Sequence, residues 1–118
     1  MSCDADDRDM QHRVDEARRI ALKYPDRVPV IVQRDPRSKL TLIDKNKFLV
    51  PEDLSYAQFM FVIRKRIRLK QSESLFMLCN GQLPTSSSLM REVQKRYAAP
   101  DGFTYLTYTG ENTFGVPI

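Results

Sequence analysis

The sequence offers few side chains that could act as a catalyst. Its single histidine, His12, falls on the polar face of a candidate helix, and Cys79 lies in an apolar run with no histidine near it in the sequence. A nucleophilic cysteine needs a neighbouring base or cation that stabilises its thiolate. The sequence also contains no cluster with metal-ligand spacing and no glycine-rich phosphate loop. We therefore predict that the chain is not an enzyme and binds neither a metal nor a cofactor.

Length and composition predict one folded domain in a reducing compartment. The chain has 118 residues, of which 42% are hydrophobic, enough for a single core. Cys3 lies in an acidic start and Cys79 in an apolar run, so a disulfide framework is not expected. The sequence has neither the apolar core of a secretion signal near its start nor an apolar stretch long enough to span a bilayer. A cytoplasmic location is the prediction that fits these features.

Charge is distributed unevenly along the chain. Residues 1–16 carry six acidic and two basic side chains, whereas the remainder is strongly basic in a chain of net charge +4. A basic body favours acidic peptides, lipid head groups or nucleic acid as partners, although a solvated surface without a partner explains it equally well. The densest basic run, residues 64–70, closes a candidate helix, where cations also stabilise the helix dipole. An alternative function of this run is the binding of nucleic acid or of an anionic membrane, but because it contains no aromatic side chain for base stacking, we predict no nucleic-acid binding.

The spacing of apolar residues predicts the order of the elements. Apolar residues recur at helical spacing from Met10 to Ala21, and Pro25 ends that segment. Residues 28–34 form a strand that is apolar on both faces, so we expect the central helix to cover one face and the N-terminal helix the other. The elements that follow are a loop at 35–45, a strand at 47–50, a helix with Phe59, Ile63 and Ile67 on one face, and strands at 75–79 and 103–109.

Short local signals mark where elements begin and end. Ser55 and Gln58 form a capping box that opens the central helix. Asn80-Gly81 predicts a two-residue hairpin turn, because both positions need a positive φ. Ser86–Ser88 are predicted to cap a second short helix, whose apolar face would contain Leu89, Val93 and Tyr97. A hairpin crossed by one helix, with later strands returning beside the first strand, is the α+β arrangement called a β-grasp.

Four blocks of sequence carry a resemblance to a known family. They are residues 23–32 (KYPDRVPVIV), 44–51 (DKNKFLVP), the helical segments 58–59 and 63–67, and residues 110–115 (GENTFG). On these blocks the chain resembles the ubiquitin-like modifiers of autophagy, the family of the GABA-receptor-associated protein and the microtubule-associated light chains. The resemblance runs without gaps from about Arg18 to Gly115, whereas the acidic residues 4–9 have no counterpart. It implies a ubiquitin-like β-grasp at residues 25–110, with an N-terminal helical extension at 1–24 and a C-terminal tail at 111–118.

The resemblance also implies how the tail is used. In this family a cysteine protease cuts behind the terminal glycine, which here would remove residues 116–118 and expose Gly115, with Phe114 fixing the register. An E1-like enzyme and an E2-like enzyme then carry the glycine to the amine of phosphatidylethanolamine. A narrow protease channel and an ATP site favour glycine, which lacks a Cβ. The chain would be a monomer before lipidation, cytoplasmic at first, and bound to the autophagosome membrane afterwards.

A groove for short linear motifs is the second property that the resemblance implies. Cargo receptors with aromatic-x-x-aliphatic motifs would add a strand to the free edge at residues 47–50. The aromatic pocket would be lined by Glu16, Ile20, Pro29, Ile31, Lys47, Leu49 and Phe103. The aliphatic pocket would be lined by Phe48, Val50, Pro51, Leu54, Phe59, Val62 and Ile63. The cations that attract the acidic flanks of such motifs would be Arg27, Lys45, Lys47 and Arg66.

Two alternatives remain open in the sequence. A non-covalent ubiquitin-like adaptor would share the fold and the groove but would never use Gly115. A further ligand surface of some relatives matches residues 75–78, where Phe76 could bind a partner, but burial of this strand in the core is the favoured interpretation.

Overall fold

The computed structural model describes residues 3–110, with side chains from Arg8 onward. It contains three helices and four strands in this part of the chain. In chain order they are α1 (Cys3–Lys23), β1 (Arg27–Arg34), β2 (Lys47–Pro51), α2 (Tyr56–Arg66), β3 (Phe76–Leu78), α3 (Met90–Tyr97) and β4 (Thr104–Thr109). The predicted tail, including Phe114 and Gly115, lies outside the described residues.

The four strands form one mixed sheet in the order β2-β1-β4-β3. β1 and β2 form an antiparallel hairpin, in which Val30 faces Phe48. β4 returns parallel to β1, with Val30 beside Thr104 and Arg34 beside Tyr108. β3 pairs antiparallel with β4 on the far side. The prediction that the last strand lies beside the first is confirmed, and so is the β-grasp with its N-terminal helical extension.

β1 is covered on both faces, as its apolar pattern predicts. On one face Val28, Val30 and Val32 belong to the main core, which includes Phe59 and Ile63 of α2. On the other face Ile31 packs with Ala17 of α1 and Phe103 in a second, smaller core, against which Ile20 and Tyr105 also pack. The strand is buried because two different helices remove its two faces from water.

Most of the predicted boundaries are confirmed. Ser55 accepts a hydrogen bond from the Gln58 amide, and the Gln58 side chain accepts one from the Ser55 amide, which completes the capping box of α2. Asn80 and Gly81 both have positive φ, at 52° and 76°, and Cys79 and Gln82 bridge across the turn.

The predicted serine cap of α3 is wrong. The N-cap residue of this helix is Leu89, and no side chain caps it. Glu92 accepts a hydrogen bond from the Leu89 amide at 2.9 Å and supplies only the returning half of a capping box. The serines of residues 86–88 instead use their backbone carbonyls, since Ser86 and Ser88 accept hydrogen bonds from the amides of Ala57 and Tyr56. They therefore tie this loop to the first turn of α2.

The loop before β4 contains Asp101-Gly102, and α1 packs closely against this loop. Gly102 has φ +91°, and a Cβ at this position would lie 2.8 Å from the Cβ of Ala17. Such a distance is shorter than side chains tolerate, so α1 can approach the loop before β4 only because residue 102 is glycine.

We expect Gly102→Ala to lower the free energy of unfolding by about 2 kcal/mol, because it combines strain at positive φ with the contact to Ala17. Gly81→Ala is the matched control, since Gly81 also has positive φ but open space around it. Urea denaturation of both variants measures the difference. Equal losses would show that the approach of α1 does not depend on Gly102.

Candidate peptide-binding groove

β2 forms an edge of the sheet, because β1 is its only neighbouring strand among residues 3–110. Its side chains alternate between the two faces. Phe48 and Val50 point to the main core beneath α2, whereas Lys47 and Leu49 point to the side of α1. An edge strand of this kind can accept the backbone of an extended peptide, and each face then offers its own side chains to alternate residues of that peptide.

A cavity of about 400 Å³ opens between α1 and β2. It is lined by Glu16, Ile20, Lys45, Lys47, Phe48, Leu49 and Phe103. Five of the seven residues predicted for the aromatic pocket therefore meet at one cavity. Of the other two, Ile31 is buried beneath it against Phe103, whereas Pro29 lines a different cavity of about 370 Å³ with α1 and the loop at 100–102.

Cations surround the mouth of this cavity. Lys47 forms an ion pair with Glu16 at 2.9 Å and lies over the ring of Phe103 at 5.9 Å. Lys45 and Arg66 both lie 5.3 Å from the ring centroid of Phe48. These pairs are largely exposed to solvent, so each contributes little to stability and its cation remains available to a competing acidic ligand.

Arg66 and the fourth predicted cation, Arg27, make further contacts. Arg66 pairs with Asp44 at 3.1 Å, and the guanidinium of Arg27 donates to the carbonyl of Leu49 at 3.2 Å. All four predicted cations, Arg27, Lys45, Lys47 and Arg66, therefore lie along the strand that a peptide would extend.

The residues predicted for the aliphatic pocket separate into two groups. Val50, Phe59 and Ile63 are at most 3% exposed and form part of the main core. The remaining four reach the surface. Val62 is 39% exposed, and the other three are half-buried: Phe48, Pro51 and Leu54. Phe48 packs edge-on against Phe59, with ring centroids 5.6 Å apart. This half of the site is a shallow apolar surface supported by the core.

A buried carboxylate locks α1 in the position that completes the cavity. Asp101, 4% exposed, accepts hydrogen bonds from the Phe103 amide, the Tyr105 hydroxyl and the Arg13 guanidinium. Burial alone would raise its pKa, but the bonds from Tyr105, Phe103 and Arg13 together hold it below the ordinary value. The same burial and the bond to Asp101 raise the pKa of Tyr105 to about 12. Arg13 belongs to α1, so this cluster fixes the helix that carries Glu16 and Ile20.

Sequence reasoning assigned no role to Asp101, Arg13 or Tyr105. From the sequence alone, Asp101-Gly102 predicts only a turn before the last strand. The ion pair between Arg13 and Asp101 joins residues that are 88 positions apart. No local pattern in the sequence therefore indicates that these two residues meet.

We expect Asp101→Asn to release α1 and to lower the free energy of unfolding by about 2 kcal/mol at neutral pH. Because folding lowers the pKa of Asp101, its contribution to stability is complete above the ordinary value of 3.8 and is lost as the pH falls through the folded value. Urea denaturation from pH 7 to pH 2.5 measures this, with exposed Asp53→Asn as control. If wild type and Asp101→Asn lost stability in parallel over that range, the cluster would not hold α1.

The thiol of Cys79 lies in the main core and has no access to solvent. It is fully buried, and burial raises its pKa to about 12 against the opposing effect of the Tyr56 hydroxyl. His12 is exposed on α1. Within the described part of the chain, no group of three histidine, cysteine or acidic side chains could hold a metal, and no helix is long and apolar enough to cross a membrane.

The strand predicted as a possible second ligand surface lies at the other edge of the sheet. Met77 and Leu78 are buried, and Phe76 is half-buried. The main core includes Met77, so the strand is anchored in the core.

A β-grasp sheet with an N-terminal helical extension defines a ubiquitin-like protein, and its cation-lined edge strand is a candidate site for an extended peptide. The family described as autophagy protein Atg8, ubiquitin-like, matches residues 12–115. The chain belongs to this Atg8 family, which confirms the resemblance of the four sequence blocks.

Relatives from distant organisms agree with this assignment. Autophagy-related protein 8e of Arabidopsis thaliana is 49% identical over 92% of this chain and 89% of its own length. Autophagy-related protein 8 of Schizosaccharomyces pombe is 46% identical over 93% of this chain and 91% of its own.

Solved structures of the family superpose well on this fold. Trypanosoma brucei ATG8 gives a TM-score of 0.82 at 38% identity, covering 90% of this chain and 91% of that one. Plasmodium falciparum Atg8, solved in complex with a peptide of Plasmodium falciparum Atg3, gives 0.81 at 31% identity, covering 87% and 91%. The chain is therefore an autophagy protein of ubiquitin-like fold.

Proposed function

We propose that the chain is a ubiquitin-like modifier that is cleaved after Gly115, joined through this glycine to phosphatidylethanolamine, and used on autophagosomal membranes to recruit receptors with aromatic-x-x-aliphatic motifs. The observation that carries the proposal is the family match, which extends over the domain and the tail as far as Gly115. All nucleophiles of the pathway belong to other proteins or to the lipid, so the chain acts as a substrate and not as a catalyst.

The groove supports the recruitment of receptors. The peptide backbone would pair with the open edge of β2, its aromatic side chain would enter the cavity between α1 and β2, and its aliphatic side chain would rest on Phe48, Leu54 and Val62. Acidic residues beside the motif would meet Lys45, Lys47 and Arg66. Such charges mainly speed the encounter and sharpen selectivity.

The conjugation step has support from a relative. Plasmodium falciparum Atg8 was solved with a peptide of Atg3. We infer that the E2-like enzyme of this pathway also engages the present chain, together with a processing cysteine protease and an E1-like enzyme. Before conjugation the chain is cytoplasmic and monomeric, and afterwards it is held on the membrane by the lipid.

Reconstitution with purified enzymes tests this function. The chain is mixed with the protease, the E1-like and the E2-like enzyme of a relative, ATP, and vesicles with phosphatidylethanolamine, and its intact mass is measured. We expect the loss of residues 116–118 and then the gain of one phospholipid, which requires both ATP and phosphatidylethanolamine. A relative processed in parallel is the control. If that relative were lipidated and this chain were not, a non-covalent adaptor would replace our account.

A further inference from the structure

β4 ends, and the tail begins, at one end of the domain. Arg34, the last residue of β1, lies beside Tyr108, and Phe76 at the start of β3 lies beside Thr109. Gly110 follows directly and packs so closely on Leu40 that a Cβ there would lie 3.1 Å from the Leu40 side chain. The tail therefore leaves the domain at the end formed by β1, β4 and the loop at 35–45, which we call the tail-exit end.

The loop at 35–45 is held firmly at this end and exposes a leucine. The hydroxyl of Tyr108 donates to the carbonyl of Thr41 at 2.6 Å and accepts from the amide of Ile43 at 2.9 Å. Arg34 donates to the carbonyl of Leu40 at 2.9 Å. Leu42, between the two residues bound by Tyr108, is 66% exposed. An apolar side chain is thus fixed in water at the place where the tail begins.

Basic residues of the loop and of the end of α2 share this end of the domain. α2 ends at the tail-exit end, because Arg66 in its last turn pairs with Asp44 of the loop. Residues 64–70 carry five cations and no acid. The acids of the loop are occupied, Asp44 by Arg66 and Asp35 by Arg37. Several exposed cations of the loop and of residues 64–70 form no ion pair within the residues that the structure describes, among them Lys39, Lys65, Arg68 and Lys70.

The length of the tail limits how far this end can lie from an attached lipid. Gly115 is the fifth residue after Gly110, and five extended residues reach at most about 18 Å. Charges at a membrane act over a Debye length of about 8 Å at physiological ionic strength. A lipid on Gly115 therefore keeps the tail-exit end closer to the head groups than any other part of the domain, and a tail that is only partly extended brings its charges within that range.

We propose that the tail-exit end is a membrane-contact surface, in which Lys39, Lys65, Arg68 and Lys70 bind anionic phospholipid head groups and Leu42 enters the interfacial layer. This proposal rests on the proposed conjugation through Gly115, which would bring the surface to the bilayer. The mixture of exposed cations with one fixed leucine matches the chemistry of an anionic lipid surface, to which cations are attracted and into which apolar side chains insert. With the tail-exit end on the membrane, the groove at β2 would face sideways and would remain open to receptors.

Sedimentation of the full, unconjugated chain with vesicles tests this surface without any conjugating enzyme, so its outcome is independent of lipidation. The vesicles contain either phosphatidylcholine alone or two parts phosphatidylcholine and one part phosphatidylserine. We expect weak binding to the anionic vesicles that falls with salt. Because each cation near such a surface is worth about fivefold in affinity, replacing Lys39, Lys65, Arg68 and Lys70 by Gln should weaken binding by about 100-fold or more. Leu42→Ser should weaken it about threefold at unchanged charge.

The matched control removes the same charge at the opposite end of the domain, where α1 ends and α3 begins. Its four substitutions are Arg18→Gln, Lys23→Gln, Arg91→Gln and Lys95→Gln, all at exposed positions. We expect this variant to keep most of the binding, and thermal unfolding verifies that both variants fold. The proposal is overturned if both variants lose binding equally, if neutral vesicles bind as well as anionic ones, or if wild type binds only single-stranded RNA at the same salt.

Discussion

Gly115→Ala is expected to keep residues 116–118 in full when the chain is incubated with cell extract, whereas wild type should lose them. The reason is steric: in the proposed pathway the tail would thread a narrow protease channel, where a Cβ on residue 115 would meet the walls. A misplacement of about 1 Å at the scissile bond costs about 100-fold in rate, so the variant should remain uncut over the time in which wild type is consumed. Intact-mass spectrometry reads both species directly.

Thr113→Ala is the control for this experiment, because it shortens a side chain in the same tail without adding a Cβ at the cleaved bond. We expect it to be processed close to the wild-type rate. Processing of Gly115→Ala at that rate would contradict the role that we assign to the glycine.

Leu49→Glu is expected to weaken the binding of acidic aromatic-x-x-aliphatic peptides by about 30-fold, or about 2 kcal/mol. Leu49 is 36% exposed and lines the cavity between α1 and β2, so its loss removes apolar contact with the aromatic side chain. The new carboxylate also competes for Lys45 and Lys47, and it repels the acidic flank of the peptide. Calorimetric titration of the full chain with one such peptide measures the change.

Leu22→Glu makes the same replacement on α1, where Leu22 is 81% exposed and lines no part of the cavity. We expect this control to bind the peptide with nearly wild-type affinity. Equal weakening by both variants would mean that added negative charge, and not the groove at β2, controls binding.

The parts of the fold that the sequence predicted are those controlled by local chemistry. The alternating apolar residues of β1 require cover on two faces, and α1 and α2 supply it. The capping box at Ser55 and the turn at Asn80-Gly81 each need only two residues, and both are present. The predicted cap of α3 was wrong because the serines of residues 86–88 bind α2 through their backbone, a contact between segments about 30 residues apart.

The residues of the candidate groove follow from the family resemblance, and the sequence pattern separates only some of them by depth. The helical spacing of Phe59 and Ile63 and the two apolar faces of β1 already favour core burial for Phe59, Ile63 and Ile31, whereas no local pattern shows that Leu49 and Val62 reach the surface. Pro29 lines a different cavity from the predicted one, since α1 crosses the sheet between the two cavities. The lock formed by Asp101 depends on an ion pair between distant segments, which leaves no periodic signal in the sequence.

The most direct test of covalent attachment to phosphatidylethanolamine is the mass of the C-terminal tryptic peptide from membrane-bound chains isolated from starved cells. No lysine or arginine follows Arg96, so trypsin releases this peptide with Tyr97 as its first residue. After treatment with phospholipase D, we predict a peptide that ends at Gly115 and carries one ethanolamine. A membrane-bound peptide that still ends at Ile118, or that ends at an unmodified Gly115, would contradict the account.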